Sequence, residues 1–157
     1  MDEHARVLVI DDDESIRKTL AVILEEKGYL VDTAENGKEA IKKSQAKFYN
    51  LALIDIRLPD MEGTKLLTAM REGTPKMVKI IVTGYPSLQN AIEAVNKGAD
   101  AYVLKPFNMD NVLNTINEHL KKQQQAKRYS EEKVAEFIET RVRELEEEKT
   151  ASNKKIR

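Results

Sequence analysis

One feature narrows the fold of this chain more than any other: short apolar runs, rich in β-branched residues, each stopping abruptly at a polar residue. Val7-Leu8-Val9-Ile10 stops at Asp11-Asp12-Asp13, Leu51-Ala52-Leu53-Ile54 at Asp55, Met77 to Val82 at Thr83-Gly84, and Ala101 to Leu104 at Lys105-Pro106. Runs of this length without polar alternation read as strands buried on both faces, the type parallel sheets use. Tyr29 to Thr33 is a shorter fifth candidate. Between the runs the apolar period changes to that of a helix. Ile16, Leu20, Ile23 and Leu24 share one face before a stop at Gly28, and Ala40, Ile41 and Ser44 share another after an Asn36-Gly37 turn. Leu66, Leu67 and Met70 follow the turn region Pro59 to Gly63. Leu88, Ala91, Ile92 and Val95 mark a fourth helix over 87–97, closed by Gly98, and Val112, Leu113, Ile116 and Leu120 begin a fifth.

Five strands alternating with five helices through short connections predict an α/β fold with a parallel sheet. Right-handed crossovers leave few topologies, among them the flavodoxin-like order 2-1-3-4-5. Periodicity alone does not set that order.

Composition removes several classes of function. The formal net charge is −1, which argues against bulk electrostatic binding of nucleic acid or membrane. There is no cysteine, hence no disulfide framework, thiolate metal site or cysteine nucleophile. The first residues do not read as a signal peptide, and no apolar stretch approaches the roughly 20 residues of a membrane span. A cytoplasmic protein is expected.

Composition shifts after Leu120. Residues 1–120 are expected to form one domain, and 121–157 a charged helical extension without Gly or Pro. The extension holds 11 Lys+Arg and 8 Asp+Glu, a net of +3, which leaves 15 against 19, or −4, on residues 1–120. Lys, Arg, Glu and Gln dominate it, and these are good helix formers. Ala135, Ile138, Val142 and Leu145 fit alternating a and d positions of a heptad, although for fewer heptads than a coiled coil ordinarily shows. Three readings stand: a solvated continuation of the fifth helix, a dimerising or partner-docking helix, and a linker to an output domain.

The polar residues at the strand ends carry the chemistry. In an open parallel sheet, ligands bind beyond the carboxyl ends of the strands, near the switch in strand order. The 2-1-3-4-5 order would bring the Asp11-Asp12-Asp13 run, Asp55, Thr83 and Lys105 there together. Crowded carboxylates repel unless a cation neutralises them. Oxygen ligands without His or Cys suit Mg²⁺. A carboxylate beside such a cation can act as a nucleophile toward phosphorus, with Lys105 and Thr83 placed for the phosphoryl oxygens. Singly these residues read as an N-cap, an Asx turn and a strand end; only their joint placement favours the functional reading.

Across about residues 5 to 120 the chain resembles the response-regulator receiver family of two-component signalling, the CheY-like superfamily. The resemblance rests on Val-Leu-Val-Ile-Asp-Asp-Asp-Glu (7–14), Leu-Ile-Asp-Ile-Arg-Leu-Pro-Asp-Met-Glu-Gly (53–63), Ile-Val-Thr-Gly-Tyr (81–85) and Lys-Gly-Ala-Asp-Ala-Tyr-Val-Leu-Lys-Pro-Phe (97–107). It implies that Asp55 is the phosphoacceptor. It implies a Mg²⁺ site formed by Asp11, Asp12, Asp55 and the main-chain carbonyl of Arg57, with Asp12 the direct ligand of the acidic pair. Thr83 and Lys105 become the switch hydroxyl and the phosphate-binding lysine, Tyr102 the aromatic switch, and Lys105-Pro106 a cis peptide. Gly84 fits a close approach to the phosphoryl group. Arg57 and Tyr85, both large, fall near the path of an attacking water, so slow autodephosphorylation is expected.

The implied function is a phosphorelay switch, catalysing its own phosphorylation from a sensor histidine kinase or a phosphotransfer protein. Its face of fourth helix, fifth strand and fifth helix would then change partners, with homodimerisation through that face or through the C-terminal helix. A haloacid-dehalogenase-type phosphohydrolase would also use an aspartyl nucleophile. It requires a second Asp two residues on, where this chain has Arg57. An adaptor with a dimerising tail, or a receiver fragment of a longer regulator, stays open. The tail has no helix-turn-helix pattern, so direct DNA binding by this chain is not expected. His4 and His119 lie outside any histidine motif and read as ordinary polar residues, as do Asp60 and Glu62 in the loop after Asp55.

Overall fold

The computed structural model describes residues 4–73 and 75–156. Five strands, β1 (Arg6–Ile10), β2 (Leu30–Ala34), β3 (Leu51–Asp55), β4 (Val78–Thr83) and β5 (Ala101–Leu104), form one parallel sheet in the order β2-β1-β3-β4-β5. Helices α1 (Glu14–Glu26), α2 (Gly37–Ala46), α3 (Leu66–Ala69), α4 (Leu88–Asn96) and α5 (Met109–Ile156) alternate with them. The expected flavodoxin-like doubly wound fold is therefore present, and the fifth helix continues through the charged extension. The chain forms two compact units, Met1–Lys121 and Lys122–Arg157.

The uninterrupted apolar runs follow from burial on both faces. Along β1 and β3, Leu8, Ile10, Ala52 and Ile54 join Ala40, Leu66, Leu67 and Ala94 in one core layer. The alternate residues Val7, Val9, Leu51 and Leu53 join Leu20, Leu24, Val112 and Ile116 in the other. Each central strand thus serves two cores at the strand period of two. The edge strands β2 and β5 are only partly buried, in keeping with their weaker apolar signal.

Several local expectations change. Asn36-Gly37 is a helix start: Asn36 caps α2, its Oδ1 accepting the Glu39 amide at 2.8 Å, a role for which short polar side chains are suited. The third helix is a single turn, entered through a 3-10 turn at Gly63–Lys65, and Met70 caps it while remaining buried. Of the α4 stripe, Leu88, Ile92 and Val95 face solvent at 78%, 52% and 69% exposure, and the buried residue is Ala94. Apolar spacing located this helix without setting which way the stripe faces, because nothing in a period says whether the apolar side meets a core or a partner.

Lys79, in the middle of β4, is buried, and its ammonium is tied to the Leu67 carbonyl (2.6 Å) and the Glu72 carboxylate. A buried charge survives only with such partners. Among the described residues no helix is long and apolar enough to cross a membrane.

Candidate functional site

Sheet register builds the site. Ile10 pairs with Ile54, so the next residues, Asp11 and Asp55, emerge side by side where the strand order reverses. Asp55 pairs with Val82 and Thr83 with Leu104, which puts Thr83 and Lys105 one residue beyond, on the same rim. Four residues separated by up to 94 positions are thereby gathered at the carboxyl ends of four strands.

The three consecutive aspartates divide their work. Asp13 caps α1, its Oδ1 accepting the Ile16 amide at 3.2 Å. Asp11 is 3% exposed; its Oδ1 accepts the Asp13 amide at 2.9 Å and its Oδ2 the Lys105 ammonium at 2.7 Å. Asp12 is exposed. Asp11, Asp12 and Asp55 each present an oxygen within 4.8 Å of the others, a donor set of hard oxygens that fits a small divalent cation. The N-cap reading thus holds for Asp13 and leaves the other two available to the site.

Asp55 is 6% exposed. Its carboxylate accepts Lys105 Nζ at 3.4 Å and the Arg57 amide at 3.4 Å. Burial, and after it the neighbouring Asp11 charge, raises the Asp55 carboxyl to about 6, against the opposing pull of Lys105. Burial acts downward on Lys105, but the hydrogen bond and charge of Asp11, then those of Asp55, outweigh it and hold the ammonium above the usual lysine range. The Lys105-Pro106 peptide is cis, as expected.

Thr83 is fully buried, and its Oγ1 accepts the Tyr85 amide at 2.9 Å. Tyr102 packs against the core layer that contains Ile54 and Ile81, and its buried hydroxyl has no hydrogen-bond partner among the described residues. The Arg57 guanidinium stacks on the Tyr85 ring, 3.8 Å from its centroid. Two residues from separate loops, each expected near the path of water, are thus in contact. A Cβ on Gly84 would meet Lys105 Cβ at 3.7 Å, an ordinary contact, so local packing does not demand a glycine there.

Two positioning residues escaped the sequence reading. A Cβ on Gly63 would overlap the main-chain carbonyl oxygen of Asp55, and the Gly63 amide donates to the Ile56 carbonyl at 2.5 Å. Asp60, read as a loop polar, accepts the Gly37 amide at 2.8 Å and the Lys38 amide at 2.9 Å, tying the loop after Asp55 to the start of α2. These amides, together with the Lys38 charge, outweigh desolvation and hold the Asp60 carboxyl below the usual range. The available signal was the paired Asp60 and Gly63 in a short loop after a strand, but their partners are set by tertiary contact.

Residues 7–117 match the family model described as response regulator receiver domain. The chain is 36% identical over 118 residues to the transcriptional regulatory protein ZraR of Klebsiella oxytoca, covering 75% of this chain and 27% of that protein. It is 35% identical over 111 residues to the regulatory protein AtoC of Escherichia coli K12, covering 71% and 24%. It therefore spans about a quarter of the length of these relatives. Among solved structures, a CheY-like response regulator receiver domain protein from Methanospirillum hungatei JF-1 superposes with a TM-score of 0.76 at 45% identity, covering 79% of this chain and 99% of that one. The beryllofluoride-activated NtrC4 receiver domain dimer superposes with a TM-score of 0.70 at 39% identity, covering 75% and 98%.

Proposed function

The chain belongs to the response-regulator receiver family, and from that premise we propose that Asp55 accepts a phosphoryl group from a phosphohistidine of a sensor kinase or phosphotransfer protein. The observation that carries the reading is the placement of Asp55: a nearly buried carboxylate flanked by Asp11, Asp12 and a cation, Lys105, that reaches both buried acids. An Asx turn would need none of these neighbours.

Asp55 attacks phosphorus through one carboxylate oxygen. A new O–P bond forms as the donor N–P bond breaks, and the imidazole leaves, taking a proton. Charge on the transferred group is met by the Lys105 ammonium and by the Thr83 hydroxyl at the next strand end. Asp11, Asp12, Asp55 and the Arg57 carbonyl would hold Mg²⁺, which when bound supplies charge neutralisation for the phosphoryl oxygens. Little else is required, because phosphoryl transfer is governed by positioning and electrostatics.

Thr83 transmits the change. Turning its hydroxyl toward a phosphoryl oxygen gives up the bond it accepts from the Tyr85 amide, so the loop carrying Tyr85 must adjust. Tyr102 on β5 moves with it. The surface placed to report the change is that of α4, β5 and α5, where Leu88, Ile92, Val95 and Leu104 lie more than half exposed. The Arg57–Tyr85 stack supports slow hydrolysis of the acyl phosphate, since both side chains hinder the approach of water. A cytoplasmic location belongs to the same proposal.

The test is phosphorylation of the full chain by a small-molecule phosphodonor with Mg²⁺, read by intact mass. One phosphoryl group is expected on the native protein and none on Asp55→Asn. Equal incorporation by Asp55→Asn would remove the reading.

A further inference from the structure

The charged extension carries a surface that the receiver reading does not use. From residue 124 through 153 every residue of α5 is exposed, including Val134, Phe137, Ile138, Val142 and Leu145 at 48% to 71%. Within this stretch the ion pairs are local ones, Lys133–Glu136, Arg141–Glu144 and Arg143–Glu139, which can sustain helix but bury no apolar side chain. A long helix in water ordinarily draws its stability from packing an apolar face, and among the described residues that face is exposed.

The stripe selects its occupant by charge. Ala135, Ile138, Val142 and Leu145 are spaced by three, four and three residues, the a-d alternation of a two-stranded coil. With Ala135 at a, the e flank is Glu132, Glu139 and Glu146, and the g flank is Lys127, Val134, Arg141 and Glu148. Two parallel copies set the g flank of one against the e flank of the other, placing Lys127 opposite Glu132 and Arg141 opposite Glu146. Two antiparallel copies set e against e, three glutamates facing three glutamates. Val142 at a with Leu145 at d also suits two strands. We infer that the helix forms a parallel, in-register coiled coil with a second copy of this chain, its apolar seam over residues 135–145 and charged a and d positions (Arg128, Glu131, Lys149) on either side. The seam is short, so the pairing depends on concentration and on the two cross-strand charge pairs. This inference does not depend on the chemistry of Asp55.

The full chain is expected to show, by sedimentation equilibrium at micromolar concentration, a mass rising toward twice that of the monomer. Val142→Asp should return it to monomer, with the far-ultraviolet spectrum of the receiver strands and helices retained. Arg141→Glu should weaken association, and Arg141→Glu combined with Glu146→Arg should restore it. Because the chain has no cysteine, Leu145→Cys reports direction: mild oxidation should give a disulfide-linked dimer. A native monomer, a dimer untouched by Val142→Asp, or charge variants that leave association unchanged would overturn the inference. So would failure of Leu145→Cys to crosslink within a preserved dimer. Phosphoryl uptake at Asp55, measured on the same samples, separates this outcome from failure of the receiver reading.

Discussion

Lys105 reaches Asp55 across 3.4 Å from a strand two places away in the sheet, while holding Asp11 at 2.7 Å. One ammonium thus offsets two carboxylates, and the offset is incomplete: Asp55 still has its carboxyl raised to about 6 by burial and by Asp11.

That shift makes stability depend on pH with a definite sign. The unfolded chain releases the Asp55 proton near the ordinary aspartate value of about 4, the folded chain near 6. Between the two the folded state binds more protons, so stability falls as pH rises through this window and then levels off. Asp55→Asn removes the contribution. Thermal unfolding in EDTA should show the variant more stable than the native chain at pH 7.5, by about 2 kcal/mol, with the difference vanishing by about pH 4. Millimolar Mg²⁺ should shrink the gap at pH 7.5 by stabilising the native carboxylates. A constant difference across this pH range would count against the assignment.

Gly63 is required by its neighbour. Gly63→Ala places a methyl group on the Asp55 carbonyl, a backbone atom that cannot swing aside. Overpacking of this kind costs about 1–3 kcal/mol. Urea denaturation should report a loss of that size, and Mg²⁺-dependent phosphorylation should slow with it because the Asp55 main chain shifts. Gly84→Ala, where the added carbon makes ordinary contacts, should change stability by less than about 0.5 kcal/mol.

Tyr102 holds a buried hydroxyl with no partner among the described residues. Leaving such a group unsatisfied costs about 1–3 kcal/mol. Tyr102→Phe keeps the ring in its core contacts and should raise the melting temperature, reflecting a gain of about 1 kcal/mol. A lower melting temperature would show that the hydroxyl has a stabilising partner in solution.

The stack of Arg57 on Tyr85 should act as one unit. Trimming either side to alanine removes the same contact, worth about 0.5–1 kcal/mol at an exposed site. If that contact holds both side chains across the approach of water, each variant should lose its phosphoryl group about two- to fivefold faster. The double variant should be little faster than either single one, the mark of a shared interaction. The measurement is decay of phosphorylated protein followed by intact mass. Unchanged decay in both single variants would remove Arg57 and Tyr85 from control of dephosphorylation.

The residues that gather at the site were legible wherever they closed an apolar run. Asp11, Asp55, Thr83 and Lys105 each close an apolar run, and that pattern is local. Asp60 and Gly63 were not legible in the same way. Their partners, the α2 amides and the Asp55 carbonyl, are distant in the chain or are main-chain atoms without a side-chain signature. The direction in which the α4 stripe faces was not legible for a related reason. Leu88, Ile92 and Val95 have the spacing of a core stripe, and only packing shows that Ala94 faces inward.

By itself the sequence determined where strands and helices alternate, because burial on two faces demands uninterrupted apolar runs and a helix demands its own period. It also placed an acid, a hydroxyl and an amine at successive strand ends, Asp55 among them. The tertiary structure decided the strand order and register, and with them that Ile10 lies beside Ile54 and therefore Asp11 beside Asp55. Register is a cooperative property of five strands packed between two helical layers, so no local run contains it. The 3.4 Å between Lys105 and Asp55 is its consequence.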